Sequence, residues 1–256
     1  MTRTEPSDPA ELDGATVVMA HPDDEILWAS AALGRSRRAI LCYGDIPGQE
    51  ALSQGRAQAM RTYPLEGVTH LAIPESGGFA SAGWPLPEET PAGLRCRRNP
   101  QRYEANAERL QRELRERLEP GEVVVTHNPW GEYGHEEHVQ VHRAVMALAE
   151  ALRLRVWVSG YCSNHTFLLM QRHLGRLGPP TPALATDEVR TEQLKAHYRH
   201  HGCWTWAPEY AWPAHEVYFP VRGGERTKPA NGASLPMNVI WRDSPLRLSM
   251  TLDPFR

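Results

Sequence analysis

The stretch VVMAHPDDEI, residues 17–26, places one histidine and three carboxylates within five positions, directly after an apolar run. The apolar residues are typical of a buried strand, and polar groups at its end are costly to bury without partners. Acidic residues at a helix start complement the helix dipole and its free N–H groups, which explains part of the pattern. It does not explain His21, so the segment also predicts a binding site at a strand end.

The rest of the chain alternates short β-rich runs with amphipathic helical stretches. Strands are predicted at 16–20, 39–43, 68–73, 123–126 and 155–159, and helices at 25–33, 50–62, 104–118 and 137–152. This alternation predicts a Rossmann-like α/β fold, in which a mostly parallel sheet is flanked by helices. A further helix at 187–201 and a strand at 216–220 belong to a predicted small C-terminal antiparallel appendage.

Length and composition bound the class of protein. The 256 residues are predicted to form one domain, with a core at about 15–160 and an appendage at about 161–256 that completes the substrate pocket. A net charge of −3 without a long basic run argues against a nucleic-acid partner, and no apolar run is long enough to span a membrane. Scattered cysteines and a polar start predict a cytoplasmic protein, while homo-oligomerisation stays open.

A second polar cluster follows the predicted strand 123–126 and runs from His127 to His138, HNPWGEYGHEEH. The carboxyl ends of parallel strands lie at one edge of a sheet, where ligands bind, so both clusters are predicted to share that edge. Imidazole and carboxylate groups suit zinc or a similar divalent ion, and three protein ligands are typical of a catalytic site. His21, Asp24 and His138 are the candidates. A solvated helix start is the alternative for H-x-x-H alone, and the pairing of the clusters favours the metal.

Other catalytic motifs are missing. His138 follows His135 by three residues and not four, so this is not the helical metalloprotease motif. The sequence also contains no G-x-x-x-x-G-K-[ST] phosphate loop, no G-x-G-x-x-G after the first strand, and no G-x-S-x-G elbow. Nucleotide binding and serine hydrolysis are therefore disfavoured.

The segments AHPDDE, 20–25, and EYGHEEHVQVHRA, 132–144, resemble the LmbE-like (PIG-L) zinc-dependent N-deacetylases. The resemblance covers roughly residues 15–160. It implies Zn²⁺, or another divalent ion such as Fe²⁺, held by His21, Asp24 and His138. It further implies that Asp23 is the general base, that His135 is the electrophilic or general-acid partner, and that Tyr133 is an additional oxyanion donor. The implied reaction releases acetate and a free amine.

The chain departs from the family pattern at several positions. Glu136-Glu137 stands where the family usually has Pro-Asp, and Glu137 is expected to orient His135 or His138. Arg56 is an expected substrate contact, although the acidic residue that usually follows it by three positions is replaced by alanine. Glu75, near a position that is often aspartate, is expected to contact a sugar hydroxyl.

Family substrates are mostly N-acetylglucosamine-bearing molecules, among them thiol-cofactor precursors, glycosylphosphatidylinositol precursors and antibiotic intermediates. The resemblance therefore implies N-deacetylation of a small amino-sugar conjugate, with antibiotic or other specialised metabolism as the setting. Trp130 is expected to offer a face on which a sugar stacks, whereas Trp204 and Trp206 suit packing equally well. The alternatives are a thiol-cofactor-precursor deacetylase, a conjugate amidase with the same zinc site, and a non-catalytic sugar-binding module, which Asp23 and His135 disfavour.

Overall fold

The apolar runs of the sequence form the strands of a central sheet, and the amphipathic stretches form helices around it. The computed structural model describes residues 6–222, 235–241 and 249–251. Its strands are β1 (Thr16–Met19), β2 (Arg38–Tyr43), β3 (Val68–Ile73), β4 (Glu89–Thr90), β5 (Gly93–Leu94), β6 (Val123–Thr126), β7 (Arg155–Ser159), β8 (Tyr161–Ser163), β9 (Leu184–Ala185), β10 (His215–Glu216), β11 (Tyr218–Pro220), β12 (Asn238–Ile240) and β13 (Ser249–Thr251). Its α-helices are α1 (Asp24–Leu27), α2 (Ser30–Leu33), α3 (Glu50–Arg61), α4 (Pro100–Arg115), α5 (Glu136–Ala149), α6 (Phe167–His173) and α7 (Glu188–His200), with 3₁₀ turns at Pro9–Leu12 and Leu174–Arg176.

The central sheet has six strands in the order β11-β7-β6-β1-β2-β3. Five of them are parallel, and β11 joins β7 at the edge in the antiparallel direction. This confirms the predicted α/β fold with a mostly parallel sheet. The chain proceeds outward from β1 on one side and from β6 on the other, so β1 and β6 flank the switch point where such sheets bind ligands.

Both faces of the sheet are covered, as a parallel sheet requires. Alternate residues of β1 separate into two clusters: Val17 and Met19 belong to one, and Val18 belongs to the other. The first cluster includes Leu194 of α7, and the second includes Leu110 of α4. The period-two alternation of β1 therefore divides the core between the two helical layers.

The predicted helix at 25–33 is wrong in one respect, because it is two short helices. The break falls at Trp28 and Ala29, where the Trp28 indole turns to donate to Asp24 Oδ1 at 2.8 Å. The first N–H groups of α2 are satisfied by a distant side chain: Glu216 accepts from Ala31 at 2.8 Å and from Ser30 at 3.4 Å. A contact between residues so far apart in the chain leaves no local signal in the sequence.

The C-terminal part contains the predicted antiparallel pairing, together with one parallel pair. β9 and β10 are antiparallel, whereas β12 pairs antiparallel with β13 and parallel with β8. The predicted strand at 216–220 is divided between β10 and β11, which lie in different sheets. The division into a core and a pocket-completing appendage stays a prediction. Within the described ranges, the helices are too short or too polar to cross a bilayer.

Candidate metal centre and catalytic pocket

The two polar clusters meet at the carboxyl ends of β1 and β6. These strands are neighbours, with Val17 opposite Val125 and Val18 opposite Thr126. His21 follows the first strand and His127 the second, and both side chains are buried. The edge predicted from the strand order is therefore where the structure brings the clusters together.

The Asp24 carboxylate lies between two histidine rings. Its Oδ2 atom is 3.0 Å from His21 Nδ1 and 3.3 Å from His138 Nε2. Ligands about 2.0–2.1 Å from a tetrahedral zinc ion lie roughly 3.3 Å from one another, so these separations suit a shared ion. His138 Nε2 is buried and has no hydrogen-bond partner. A buried lone pair aimed at a carboxylate and a second imidazole fits a metal ligand.

His127 lies slightly farther from the carboxylate, with Nε2 3.5 Å from Asp24 Oδ2, and both of its ring nitrogens already have hydrogen-bond partners. Its Nε2 atom accepts the Ala20 N–H at 2.8 Å, and its Nδ1 faces Glu132 Oε2 at 2.9 Å. Because the Nε2 lone pair is used by the backbone, His127 cannot also give it to an ion. Among the described residues, three buried groups have ligand atoms close enough to share an ion: His21, His135 and His138; Asp24, His127 and His138; and His21, Glu75 and Glu137. None of these groups is the set expected from the motif, His21, Asp24 and His138, so that ligand set stays a prediction.

Glu132 holds the two stacked histidines from behind and was not singled out from the sequence. Its Oε2 accepts from His127 Nδ1 at 2.9 Å and from His138 Nδ1 at 2.7 Å. Its Oε1 accepts from the Asn128 N–H and from the Ser159 hydroxyl, each at 2.9 Å. The carboxylate thereby fixes His138 in the tautomer whose Nε2 lone pair faces Asp24. The only sequence signal was an acidic residue inside the second cluster.

Glu137 contacts a different histidine from the one expected. Its Oε2 lies 3.0 Å from His21 Nε2, and its Oε1 accepts from the N–H and hydroxyl of Ser76 at 2.6 and 2.8 Å. The prediction that its carboxylate orients His135 or His138 is therefore wrong. Burial alone would lower the pKa of His21, but Glu75 and Asp24 raise it, with Glu137, to about 10. When no ion is bound, these three carboxylates keep the His21 imidazole protonated.

The adjacent aspartates have opposite electrostatic surroundings. Burial, followed by repulsion from Asp24, raises the pKa of Asp23 well above its ordinary value. Burial would also raise the pKa of Asp24, but His138 and His21 hold it well below the ordinary range. Two carboxyl groups whose pKa values are driven apart are suited to different tasks. Asp24 stays ionised as a ligand, and Asp23 can take up a proton.

Asp23 is held in an unusual backbone conformation. Its φ of 102° and ψ of −22° lie in the left-handed region, which is unfavourable for a non-glycine residue. The Asp23 N–H donates to Glu25 Oε2 at 3.1 Å, and the Thr205 hydroxyl donates to Asp23 Oδ2 at 3.0 Å. Thr205, which the sequence did not reveal, thus fixes the carboxylate from the C-terminal part of the chain.

His135 begins α5 and presents one N–H to the pocket. Its Nδ1 accepts from the Glu137 N–H at 3.2 Å, so the proton of the neutral ring lies on Nε2. Burial, then the proximity of His21 and His138, lowers the pKa of His135 well below its ordinary value. The ring is therefore a neutral N–H donor, which differs from the protonated form considered from the sequence. Tyr133 lies beside it, with the ring centroids 5.9 Å apart.

The expected substrate contacts are only partly brought together. Arg56 and Glu75 form a buried ion pair, so the partner missing from the Arg56 helix comes from the end of β3. Both side chains line the cavity that contains the candidate ligands. Trp130 does not: it is fully buried and donates to the Tyr161 carbonyl at 2.7 Å. The prediction that Trp130 offers a stacking face is wrong, because its ring packs in the core.

The catalytic cavity has a volume of about 690 Å³ and opens onto the ends of β1 and β3. Sites of this size enclose most of a small ligand. Polar and apolar groups contribute to its lining, which comprises His21, Asp23, Asp24, Ile46, Pro47, Gln49, Leu52, Arg56, Glu75, Gly77, Phe79, Ala80, Arg98, Tyr133, His135, Thr205, Trp206, Ile240 and Trp241.

Comparison with known proteins gives a matching family model and several similar proteins. The family model described as PIG-L, GlcNAc-PI de-N-acetylase, matches residues 16–149. Three proteins named 1D-myo-inositol 2-acetamido-2-deoxy-alpha-D-glucopyranoside deacetylase are also similar. The Nakamurella multipartita protein is 32% identical over 165 residues (55% of each chain), and that of Kineococcus radiotolerans is 29% identical over 158 residues (50% of this chain and 42% of that one). The Corynebacterium diphtheriae protein is 26% identical over 160 residues, 53% of this chain and 52% of that one. The chain spans about half the length of these curated relatives.

Proposed function

The chain belongs to the PIG-L family of GlcNAc-PI de-N-acetylases, and from this we propose that it hydrolyses the N-acetyl group of an N-acetylglucosamine-type conjugate. The products are acetate and a free amine. The observation that carries the proposal is the buried, unpaired Nε2 of His138, which faces Asp24 within the same cavity as Asp23. This arrangement supports a metal-dependent hydrolase and disfavours a module that only binds sugar.

His21, Asp24 and His138 would hold the ion, with zinc as the proposed metal and Fe²⁺ as the alternative. When bound, such an ion acts as a Lewis acid, polarising an amide carbonyl and making water more acidic. The three protein ligands leave coordination positions for substrate and water. Glu132 and Glu137 hold the rings of His138 and His21 from the side away from Asp24.

Asp23 is the proposed general base. Its raised pKa suits proton uptake from the attacking water, and the same proton then passes to the leaving nitrogen as the amide C–N bond breaks. Thr205 keeps the carboxylate oriented during both transfers. The N–H of neutral His135 and the hydroxyl of Tyr133 are the proposed donors to the oxygen on which negative charge develops.

The substrate class follows from the relatives more than from the cavity. All three relatives are named for an amino sugar linked to myo-inositol. A thiol-cofactor-precursor deacetylase therefore fits the comparisons better than an enzyme of antibiotic biosynthesis, which none of the three names supports. The ion pair of Arg56 with Glu75 offers charged groups for sugar hydroxyls beside Asp23. A cytoplasmic location and a homo-oligomeric state stay predictions.

The test is acetate release from N-acetylglucosaminides by zinc-loaded protein, with products identified by mass. Chelation should abolish turnover, and added zinc should restore it. Asp23→Asn should retain zinc but lose activity by at least about 100-fold, the lower range for a general base. Loss of a larger acyl group would identify a conjugate amidase, and an Asp23→Asn protein as active as the wild type would contradict the assigned base.

A further inference from the structure

The outer part of the cavity lining combines large apolar side chains with the polar Gln49, Arg98 and Thr205. We define the cavity rim as the six apolar side chains larger than alanine that are at least partly exposed: Ile46, Pro47, Leu52, Phe79, Trp206 and Trp241. They come from four separate parts of the chain and surround the entrance to the buried polar groups. An amphiphilic lining of this kind suits a ligand with a polar end and an apolar end.

Two residues of the cavity rim are unusually exposed for their size. Phe79 is 40% and Trp241 44% exposed. The described ranges contain six exposed large hydrophobic side chains, and these two line one cavity. Grouped apolar exposure at a pocket marks a surface that a ligand covers.

The buried Glu136 carboxylate, which departs from the family pattern, holds the loop that carries Phe79. Glu136 accepts the backbone N–H groups of Ala80, Ser81 and Ala82 at 3.0, 2.9 and 2.9 Å. The Phe79 ring then stacks on His135 at 4.7 Å between centroids and an interplanar angle of 25°. A ring held beside the catalytic histidine loses little freedom when a ligand binds.

Arg98 reaches the same part of the cavity but has a structural task there. Its guanidinium donates to the Phe79 carbonyl at 2.7 Å. This hydrogen bond and the Glu136 carboxylate hold the Phe79 loop from two directions.

Trp206 forms a second fixed aromatic wall. Its ring makes edge-to-face contacts with Trp28 and Tyr133, each at 5.2 Å between centroids, and with Tyr210 at 5.6 Å. The sequence left two alternatives open for Trp206, packing within the protein or offering a face to a sugar. Its ring contacts show that it packs. It also lines the cavity on the side of Tyr133. Phe79 and Trp206 both contact Tyr133, with centroids 6.3 and 5.2 Å away, and aromatic faces of this kind suit a flat apolar group.

Resting on the proposed deacetylase function, we propose that the group attached to the amino sugar is aromatic. The sugar occupies the polar part beside Arg56 and Glu75, and the aryl group lies against Phe79, Trp206 and Trp241. A cyclitol against these three rings would place hydroxyls on apolar faces, which an aryl group matches better. An aromatic group attached to the sugar would distinguish the substrate of this chain from the inositol glycoside for which the relatives are named.

The test compares four N-acetylglucosaminides that differ only in the attached group: methyl, phenyl, octyl and myo-inositol. With zinc-loaded full-length chain, kcat/KM for the phenyl glycoside should exceed that for the methyl and inositol glycosides by about tenfold or more. Calorimetry on Asp23→Asn should show the same order in Kd, which provides a readout independent of turnover.

The variants Trp241→Ser and Phe79→Ser should bring the phenyl-to-methyl ratio of kcat/KM close to one. The matched control is Val189→Ser, which alters a 70% exposed side chain outside the cavity and should keep the ratio. A ratio measured within each variant is insensitive to partial loss of folded enzyme.

The outcomes distinguish the two proposals. If none of the four glycosides is deacetylated, the proposed function fails. If acetate is released but the phenyl group gives no advantage, or inositol or octyl is preferred, the aromatic assignment is overturned and the deacetylase function stands. A phenyl preference that persists unchanged in both serine variants also overturns it.

Discussion

Replacing Glu132 with glutamine should weaken metal binding, although Glu132 is not among the proposed ligands. All four groups that contact its carboxylate are donors: the two histidine Nδ1 atoms, the Asn128 N–H and the Ser159 hydroxyl. Glutamine has a single acceptor oxygen, so in either orientation its NH₂ group faces donors. If the NH₂ group faces the histidines, the His138 tautomer with a free Nε2 lone pair is no longer enforced; if it faces the Asn128 N–H and Ser159, a buried N–H there loses its acceptor.

The size of the effect follows from the place of Glu132 behind a ligand. Loss of a carboxylate that orients a ligating histidine typically lowers metal affinity about 10- to 100-fold, or roughly 1.4–2.7 kcal/mol. Glu132 is fully buried and holds His127 as well as His138, which places the expectation in the upper half of that range. Glu132→Asp, which keeps the charge but shortens the reach, should be intermediate.

The assay is competition for zinc between the full chain and a chromophoric chelator, with circular dichroism to verify the fold. Glu122→Gln is the matched control, since Glu122 is another buried carboxylate with several donors, but it lies at the opposite end of the sheet beside Thr16 and Arg38. The control should bind zinc as tightly as the wild type. A folded Glu132→Gln protein with unchanged zinc affinity would refute the reasoning.

Three further predictions concern charge and proton uptake. Burial would raise the pKa of Glu122, but hydrogen bonds from Thr16 and Arg37 lower it, so its stabilisation is present above the unfolded pKa and is lost as pH falls. Glu122→Gln should therefore lower the free energy of unfolding in urea at pH 7 by about 1.5–3 kcal/mol, and the difference should shrink below about pH 4. The pKa of His21 is raised to about 10 without an ion, so zinc must displace its proton. Zinc affinity should therefore rise with pH by about tenfold per unit between pH 6 and 8. A zinc affinity that does not change with pH would contradict the proton on His21. Thr205→Val removes the hydroxyl that stabilises ionised Asp23, so the acidic limb of the kcat/KM profile should move to higher pH. Thr205→Ser keeps the hydroxyl and should restore the position of that limb. An acidic limb that does not move in the valine variant would exclude this role for Thr205.

The location of the candidate metal centre was predictable because the proposed ligands lie close to strand ends. His21 and Asp24 lie three residues apart after β1, and His138 lies near the start of the helix that follows β6. Parallel strand order is enough to bring those two segments to one edge. Spacing and topology therefore sufficed for the three candidate ligands, without knowledge of any long-range side-chain contact.

The residues that position those ligands were not predictable in the same way. Thr205 reaches Asp23 across 182 positions, and Glu75 reaches Arg56 from a different strand end. Such pairs depend on how the helices and the C-terminal part pack, which leaves no periodic signal in the sequence. Trp130 shows the converse: a tryptophan adjacent to a motif can be entirely buried, because neighbouring residues of a loop face different directions.

Glu136 and Glu137, which depart from the family pattern, have different contacts, and those of Glu136 bear on the proposed specificity. Glu137 supports His21, a task for which any carboxylate at that place is chemically suited. Glu136 instead satisfies three consecutive N–H groups of the Phe79 loop, which a proline side chain has no acceptor to do. A chain with proline there must hold this loop differently, and the ring beside His135 would not be fixed in the same way. The Glu136 departure therefore bears on the cavity wall around Phe79, which in our proposal contacts the conjugated group of the substrate.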